Sequence, residues 1–110
     1  MIDFSLTEEQ QALQEMAHEF AAKEMRPNAA KYDKGGQFPE DVMKKAFDAG
    51  FITGNIPQEY GGGGLGDLDT VIISEELAWG CAGMYTTIMA SSLAFTPIIL
   101  FGSDEQKKKF

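Results

Sequence analysis

The sequence predicts an all-α fold, a helical bundle of about five to six helices in one domain spanning residues 1–110. Helix-capping signals stand near both ends of the protein, each a Ser or Thr followed three residues later by Glu or Gln. Between them, apolar residues recur at the spacing of helices that bury one face. Glycine and proline separate these segments, which favours short helices joined by tight turns.

The first helix is predicted to begin at one of two overlapping capping boxes. Ser5 pairs with Glu8, or Thr7 pairs with Gln10, and either pairing satisfies free backbone N–H groups of the first turn. The apolar residues that follow lie on one stripe, which extends to about Met25.

Proline and glycine then divide the sequence into two further short helices. Arg26-Pro27 ends or kinks the first helix, and a second is predicted from Pro27 to about Lys34, where Gly35-Gly36 terminates it. A third helix begins at Pro39, and Gly50 is placed to cap it in the left-handed conformation.

The stretch from Phe51 to Tyr60 has no helical period, and we expect an extended crossover that buries Phe51, Ile52 and Ile56. The glycine cluster that follows, Gly61–Gly66, formally matches the G-x-G-x-x-G pattern of dinucleotide-binding turns. No apolar strand precedes this cluster, and no acidic residue lies about 20 positions further on. We therefore interpret it as a tightly turning loop.

A central helix is predicted next, capped by Asp67 or Asp69 and continuing to about Ala82. It is apolar around most of its circumference, which is typical of a helix packed on several sides. Glu75 and Glu76 point about 100° apart, so they do not form a facing catalytic pair. We expect one to reach the surface and the other to meet a cation or a backbone group.

An uncharged segment of 27 residues extends from Leu77 to Ser103. Its glycine and hydroxyl residues, together with Pro97, argue against a membrane span. We predict a break at Gly83, a helix from Met84 to about Phe95, and a separate buried helical turn from Thr96 to Gly102. Small residues among large ones favour a buried helix pair that also forms the wall of an apolar pocket.

One stripe of the helix after Gly83 is the candidate binding surface. Thr86, Met89, Ala90 and Leu93 are spaced at i, i+3, i+4 and i+7 and therefore share a face. Plain helix packing and a pocket wall are equally compatible with this spacing. We assign no catalytic, cofactor-binding or metal-ligating residue to these 110 residues.

Charge and composition exclude several classes of function. The formal net charge of −8, from 9 basic and 17 acidic residues, disfavours nucleic acid or anionic lipid as the main partner. Cys81 is the only cysteine, so one polypeptide builds neither a disulfide framework nor a cysteine metal site. His18, the only histidine, is interpreted as a solvated helix position because no nucleophile or metal ligand stands beside it. Met1 is followed by a charged helix start rather than by a secretory signal.

A last capping box pairs Ser103 with Gln106, ahead of three lysines and Phe110. Isolated helices of about seven residues are marginal in water. We therefore expect this helix to be truncated.

Five segments together resemble the N-terminal helical domain of the acyl-CoA dehydrogenases, nearest to the medium-chain and short-chain members. The most specific feature is the combination of Pro57, Tyr60 and the glycine loop with Glu75-Glu76-Leu77-Ala78. The five segments cover essentially the whole sequence and are FSLTEEQQ, KYDKGGQFP, GFITGNIPQEYGGGGLG, ISEELAWGCAG and SSLAFTPIILFGSDEQKKKF.

The resemblance implies a larger enzyme with a central β-domain and a C-terminal helical domain, both absent here, assembled as a homotetramer. A C-terminal glutamate would remove the α-proton of an acyl-CoA thioester while FAD accepts the β-hydride, giving the trans-2-enoyl-CoA of fatty acid β-oxidation. Electrons would leave to electron-transfer flavoprotein. The flavin site and the base would lie beyond these 110 residues, so the domain is expected to be inactive alone.

Carried over by the resemblance, Thr86, Met89, Ala90 and Leu93 fall on a wall of the fatty-acyl tunnel. Medium-chain members often have a glutamate where Met89 stands, so the preferred acyl length stays open. A free-standing helical interaction module remains an alternative, and a nucleotide site at the glycine loop is a weaker one. The implied location is the bacterial cytoplasm, slightly favoured by the immediate Met1, or the mitochondrial matrix.

Overall fold

The computed structural model describes residues 1–110 and contains six α-helices and no strand. The predicted all-α bundle is therefore confirmed. The helices are α1 (Glu8–Phe20), α2 (Ala29–Gly35), α3 (Glu40–Asp48), α4 (Asp67–Gly80), α5 (Ala82–Phe101) and α6 (Asp104–Lys109).

Helix α1 begins at the second of the two predicted capping boxes. The Thr7 hydroxyl accepts a hydrogen bond from the Gln10 backbone N–H at 3.2 Å, and the Gln10 side-chain oxygen accepts one from the Thr7 N–H at 3.1 Å. Ser5 instead donates its backbone N–H to the Asp3 carboxylate at 2.8 Å. Hydrogen bonding from Ser5 lowers the pKa of the Asp3 carboxyl.

The predicted interruption at Arg26-Pro27 is a change of helical pitch. A π-helical turn, Ala21–Met25, follows α1, and a 3-10 turn, Arg26–Asn28, leads into α2. Pro27 lies at the start of the 3-10 turn, where its missing N–H removes no helical hydrogen bond. Gly36 ends α2 in the left-handed conformation, with φ of 61°.

Residues at the end of α3 direct two large side chains into the core. Gly50 has a φ of 83°, the left-handed conformation that the sequence predicts. Phe51 and Ile52 are buried as predicted, and the Phe51 ring packs edge-on against Phe20 with centroids 5.1 Å apart. Ile56 is half-buried.

Helix α4 is the central element, packed against α1, the π-helical turn and α5. It begins at Asp67 with Gly66 as its N-cap, and the Asp69 carboxylate accepts the Gly66 N–H at 3.3 Å. The helix therefore has buried residues on more than one side, as the sequence predicts. These residues are Ile72, Ile73, Leu77 and Gly80.

Two contacts hold α1 against α4. At the start of both helices, Gln10 Nε2 donates to Asp69 Oδ1 at 3.1 Å, so the residues that complete the two caps also bond each other. At the far end of α4, a Cβ added to Gly80 would stand 2.8 Å from the Ala21 Cβ. The backbones approach this closely because position 80 has no side chain.

The junction between α4 and α5 lies at Cys81, not at Gly83 as the sequence predicts. Cys81 is extended, with φ of −169° and ψ of 115°, and α5 begins at the next residue. The turn therefore follows directly after Gly80, the residue that lies against Ala21, and Gly83 belongs to the first turn of α5.

Helix α5 is continuous, so the predicted helix end near Phe95 and the separate turn Thr96–Gly102 are wrong. Pro97 lies inside the helix. A proline there removes one backbone hydrogen bond and costs about 3 kcal/mol. Half-buried apolar side chains on both sides of it, Phe95 before and Ile98 and Ile99 after, offset this cost by packing.

The predicted burial of the uncharged segment is wrong for half of α5. Met84 and Ile88 are the only buried residues of this helix, whereas Leu100 and Phe101 are 65% and 86% exposed. Because Pro97 does not interrupt the helix, α5 is long and apolar enough, by length and composition alone, to cross a membrane. Only 11% of its most apolar window is buried.

Helix α6 begins at the predicted capping box. The Ser103 hydroxyl accepts the Gln106 N–H at 3.2 Å, and the Gln106 side chain accepts the Ser103 N–H at 2.9 Å. Three lysines occupy the last turn, the end of a helix dipole that favours cations.

The protein is a flat slab of 43 × 41 × 19 Å with a radius of gyration of 15.0 Å. A compact domain of about 100 residues has a radius of gyration of about 13 Å. Only 15 of the 110 residues are buried. The fold therefore leaves much of its apolar surface uncovered.

Replacing Gly80 with alanine is expected to destabilise the domain by about 1–3 kcal/mol, because the new methyl group would overlap Ala21. Denaturant unfolding followed by the fluorescence of Trp79, the only tryptophan, measures this free energy.

Gly83→Ala is the matched control, because no atom lies within 4 Å of a Cβ built there. Alanine favours a helix over glycine, so this variant should be neutral or more stable by up to about 1 kcal/mol. Equal destabilisation by the two substitutions would contradict the packing argument.

Candidate functional site

One face of α5 is exposed along its whole length. Successive helical residues turn by about 100°, which separates the ten exposed residues of α5 from the ten that are buried or half-buried. None of the exposed residues carries a charge. We call this set the open face: Ala82, Gly83, Thr86, Ala90, Leu93, Ala94, Thr96, Pro97, Leu100 and Phe101.

The structure places three of the four predicted site residues on the open face. Thr86, Ala90 and Leu93 lie there, and Leu93 is 77% exposed. Met89 is half-buried at the edge of the face and lines a small cavity together with Phe51. The predicted stripe is therefore a real helix face, but Met89 also contacts the interior.

The hydroxyl groups on the open face are turned back onto their own helix. Thr86 Oγ1 donates to the Ala82 carbonyl at 2.9 Å, and Thr96 Oγ1 donates to the Ser92 carbonyl at 2.9 Å. Each hydroxyl hydrogen is thus used within the protein. A ligand on this face meets methyl and methylene groups and no free side-chain donor.

The opposite side of α5 anchors the open face to the core. Met84 and Ile88 are 4% and 0% exposed and pack in one cluster with Ile73 and Leu77 of α4. Closely packed cores hold their side chains in fixed positions. The open face is therefore the exposed side of a helix whose other side is held in place by packing against α4.

The glycine loop has no backbone N–H groups left for a phosphate. Holding a pyrophosphate would require such groups to be free. The N–H groups of the loop instead donate to carbonyls of the crossover, Phe51 to Tyr60, which the sequence predicted to be extended. These hydrogen bonds fold the crossover into turns that end in a 3-10 turn at Gln58–Tyr60. The residues present therefore do not fit a nucleotide or flavin phosphate here. Four consecutive N–H groups donate to crossover carbonyls at 2.8–3.2 Å: Gly62 to Pro57, Gly63 to Thr53, Gly64 to Ile56 and Leu65 to Gly54.

A polar cluster joins α1 to α4 around Glu76. His18 Nδ1 lies 2.7 Å from Glu76 Oε2, and Gln14 Nε2 donates to Glu76 Oε1 at 3.2 Å. The His18 ring stacks on Trp79 with centroids 4.4 Å apart, and the Arg26 guanidinium lies 4.4 Å from the Trp79 ring centroid. The predicted solvated position of His18 is confirmed, since its side chain is 51% exposed, but its Nδ1 and its ring also contact Glu76 and Trp79.

The expectation for the two adjacent glutamates is confirmed for the exposed one, whereas the partners of the other are the side chains of Gln14 and His18 rather than a backbone group. Glu75 is exposed, whereas Glu76 is half-buried and accepts hydrogen bonds from α1. No group of three or more His, Cys, Asp or Glu side chains is arranged to hold a metal ion. The cluster therefore fastens two helices together.

The groups with shifted pKa values lie away from the open face. Burial, with nearby carboxylates, raises the pKa of Tyr60. Hydrogen bonding with Lys23 lowers the pKa of Glu19, and hydrogen bonding with Glu24 raises the pKa of Lys45. None of these groups lies on α5, so the open face has no side chain prepared for proton transfer.

Seven of the ten residues of the open face were not predicted, four of them because the predicted helix ends before Pro97 and two because it begins after Gly83. Leu93, Pro97 and Leu100 have the i, i+4, i+7 spacing of a single stripe, but this spacing places them on one face only when the helix continues through Pro97. The seven residues are Ala82, Gly83, Ala94, Thr96, Pro97, Leu100 and Phe101.

The family model for the N-terminal domain of acyl-CoA dehydrogenases matches residues 7–110. The probable medium-chain specific acyl-CoA dehydrogenase 2, mitochondrial, of Caenorhabditis briggsae is 40% identical over 109 residues, which are 99% of this protein and 27% of the relative. These 110 residues thus span about a quarter of that relative's length.

Two solved structures are similar over 99% of the protein. One comes from a study of the electron transferring flavoprotein of Acidaminococcus fermentans and the mechanism of flavin-based electron bifurcation. It has a TM-score of 0.92 and 41% sequence identity, and the match covers 29% of its length. Butyryl-CoA dehydrogenase from Megasphaera elsdenii has a TM-score of 0.87 and 33% identity, over 30% of that chain. The arrangement of α1 to α6 is therefore that of one helical part of larger proteins.

Replacing Glu76 with alanine is expected to lower the free energy of unfolding by about 1–3 kcal/mol, because Gln14 and His18 lose their shared acceptor. The neighbouring, exposed Glu75→Ala serves as the control, with an expected change within about 0.5 kcal/mol. Denaturant titrations of both variants beside the wild type decide the matter, and indistinguishable variants would refute the fastening role of Glu76.

Proposed function

The protein belongs to the acyl-CoA dehydrogenase family, and from this membership we propose that it is the N-terminal domain of an FAD-dependent acyl-CoA dehydrogenase. In this proposal the open face of α5, with Met89 at its edge, is a wall of the acyl-chain pocket. The complete enzyme would convert an acyl-CoA thioester to the trans-2-enoyl-CoA, a step of fatty acid β-oxidation. The central β-domain and C-terminal helical domain lie outside the 110 residues in this proposal.

The observation that carries the proposal is the open face itself. It extends over 20 helical residues without one charge, and large side chains on it, such as Phe101, are exposed. Soluble proteins rarely leave a continuous apolar patch of this kind uncovered unless it binds something. An acyl chain lying against α5, enclosed by neighbouring domains, covers it.

The domain contributes binding and the exclusion of water rather than proton or hydride transfer. In the complete enzyme, FAD would accept the β-hydride. A glutamate outside these 110 residues would take the α-proton. The glycine loop provides no phosphate site, and α5 carries no carboxylate or histidine. Both observations support placing the flavin and the catalytic base outside these residues, and they support the expectation that the isolated domain has no activity.

Further partners follow from the family and are part of the proposal. We place the enzyme in a homotetramer that passes electrons to electron-transfer flavoprotein. The curated relative is mitochondrial, and the butyryl-CoA dehydrogenase is from Megasphaera elsdenii, so either a mitochondrial matrix or a bacterial cytoplasm is compatible with the family.

Two other occupants of the open face are less well supported. A membrane would cover α5 from all sides, whereas Met84 and Ile88 are already packed in the protein core. A free-standing module that binds a protein partner would use the same face. Such a module would remain a soluble monomer without the other domains. A domain whose open face normally packs against other domains should instead aggregate until those domains are supplied.

The wall is expected to select acyl chains by length. Each buried CH₂ group is worth about 0.8 kcal/mol, or about a factor of four in kcat/KM, as long as the pocket admits it. Ala90 is a small residue on the wall, so a larger side chain there removes space for the far end of the acyl chain.

Ala90→Leu in the complete enzyme is therefore expected to move the preference to shorter acyl chains. For substrates two or three carbons longer than the new optimum, kcat/KM should fall by about tenfold or more relative to the wild type. The measurement is kcat/KM across a series of straight-chain acyl-CoA thioesters.

Ala12→Leu provides the control, because Ala12 is an exposed alanine on α1 rather than on α5. It should leave the chain-length profile of the wild type unchanged. A profile for Ala90→Leu that matches this control would refute the wall.

A further inference from the structure

We draw no further inference here: the strongest candidate, the groove between α2 and the start of α5 that Asp33, Cys81 and Met84 line, carries none, because nothing in the structure shows what covers it.

Discussion

The structure depends on the close crossing of α1 and its π-helical extension with α4. At one end of this crossing Gly80 lies against Ala21, and at the other Gln10 and Asp69 join the two helix caps. Between them Glu76 accepts hydrogen bonds from α1. Small residues bring the helices close, and polar residues set their register, so α5 packs against a rigid pair, and α3 and α6 in turn contact α5.

The position of α5 follows from that pair. Helix α4 ends directly after its tight contact at Gly80, the backbone turns at Cys81, and α5 packs against α4 with Met84 and Ile88 in the core. A helix that is apolar on all sides has then only one side covered. This surplus of apolar surface, in a slab 19 Å thick, is the physical basis for assigning α5 to a pocket wall rather than to an ordinary core.

Local hydrogen bonds determine what the site is able to recognise. The glycine loop uses its N–H groups to fold the crossover, which removes the feature that makes such loops bind phosphate. The hydroxyls of Thr86 and Thr96 are used in the same way on α5, which leaves a hydrocarbon surface. In both places the residue types alone suggest polar recognition, but the loop N–H groups and the two hydroxyl hydrogens are already used within the protein.

The sequence by itself determined the helices whose signals are local: the caps at Thr7 and Ser103 and the left-handed glycine at Gly50. These depend on hydrogen bonds and φ values within a few residues, as does the spacing that selected the stripe at Ala90. Only the tertiary structure decided that α5 continues through Pro97, because packing from both sides outweighs one missing hydrogen bond. Which side of that helix stays open was also decided by contacts between distant residues, and no local pattern encodes them.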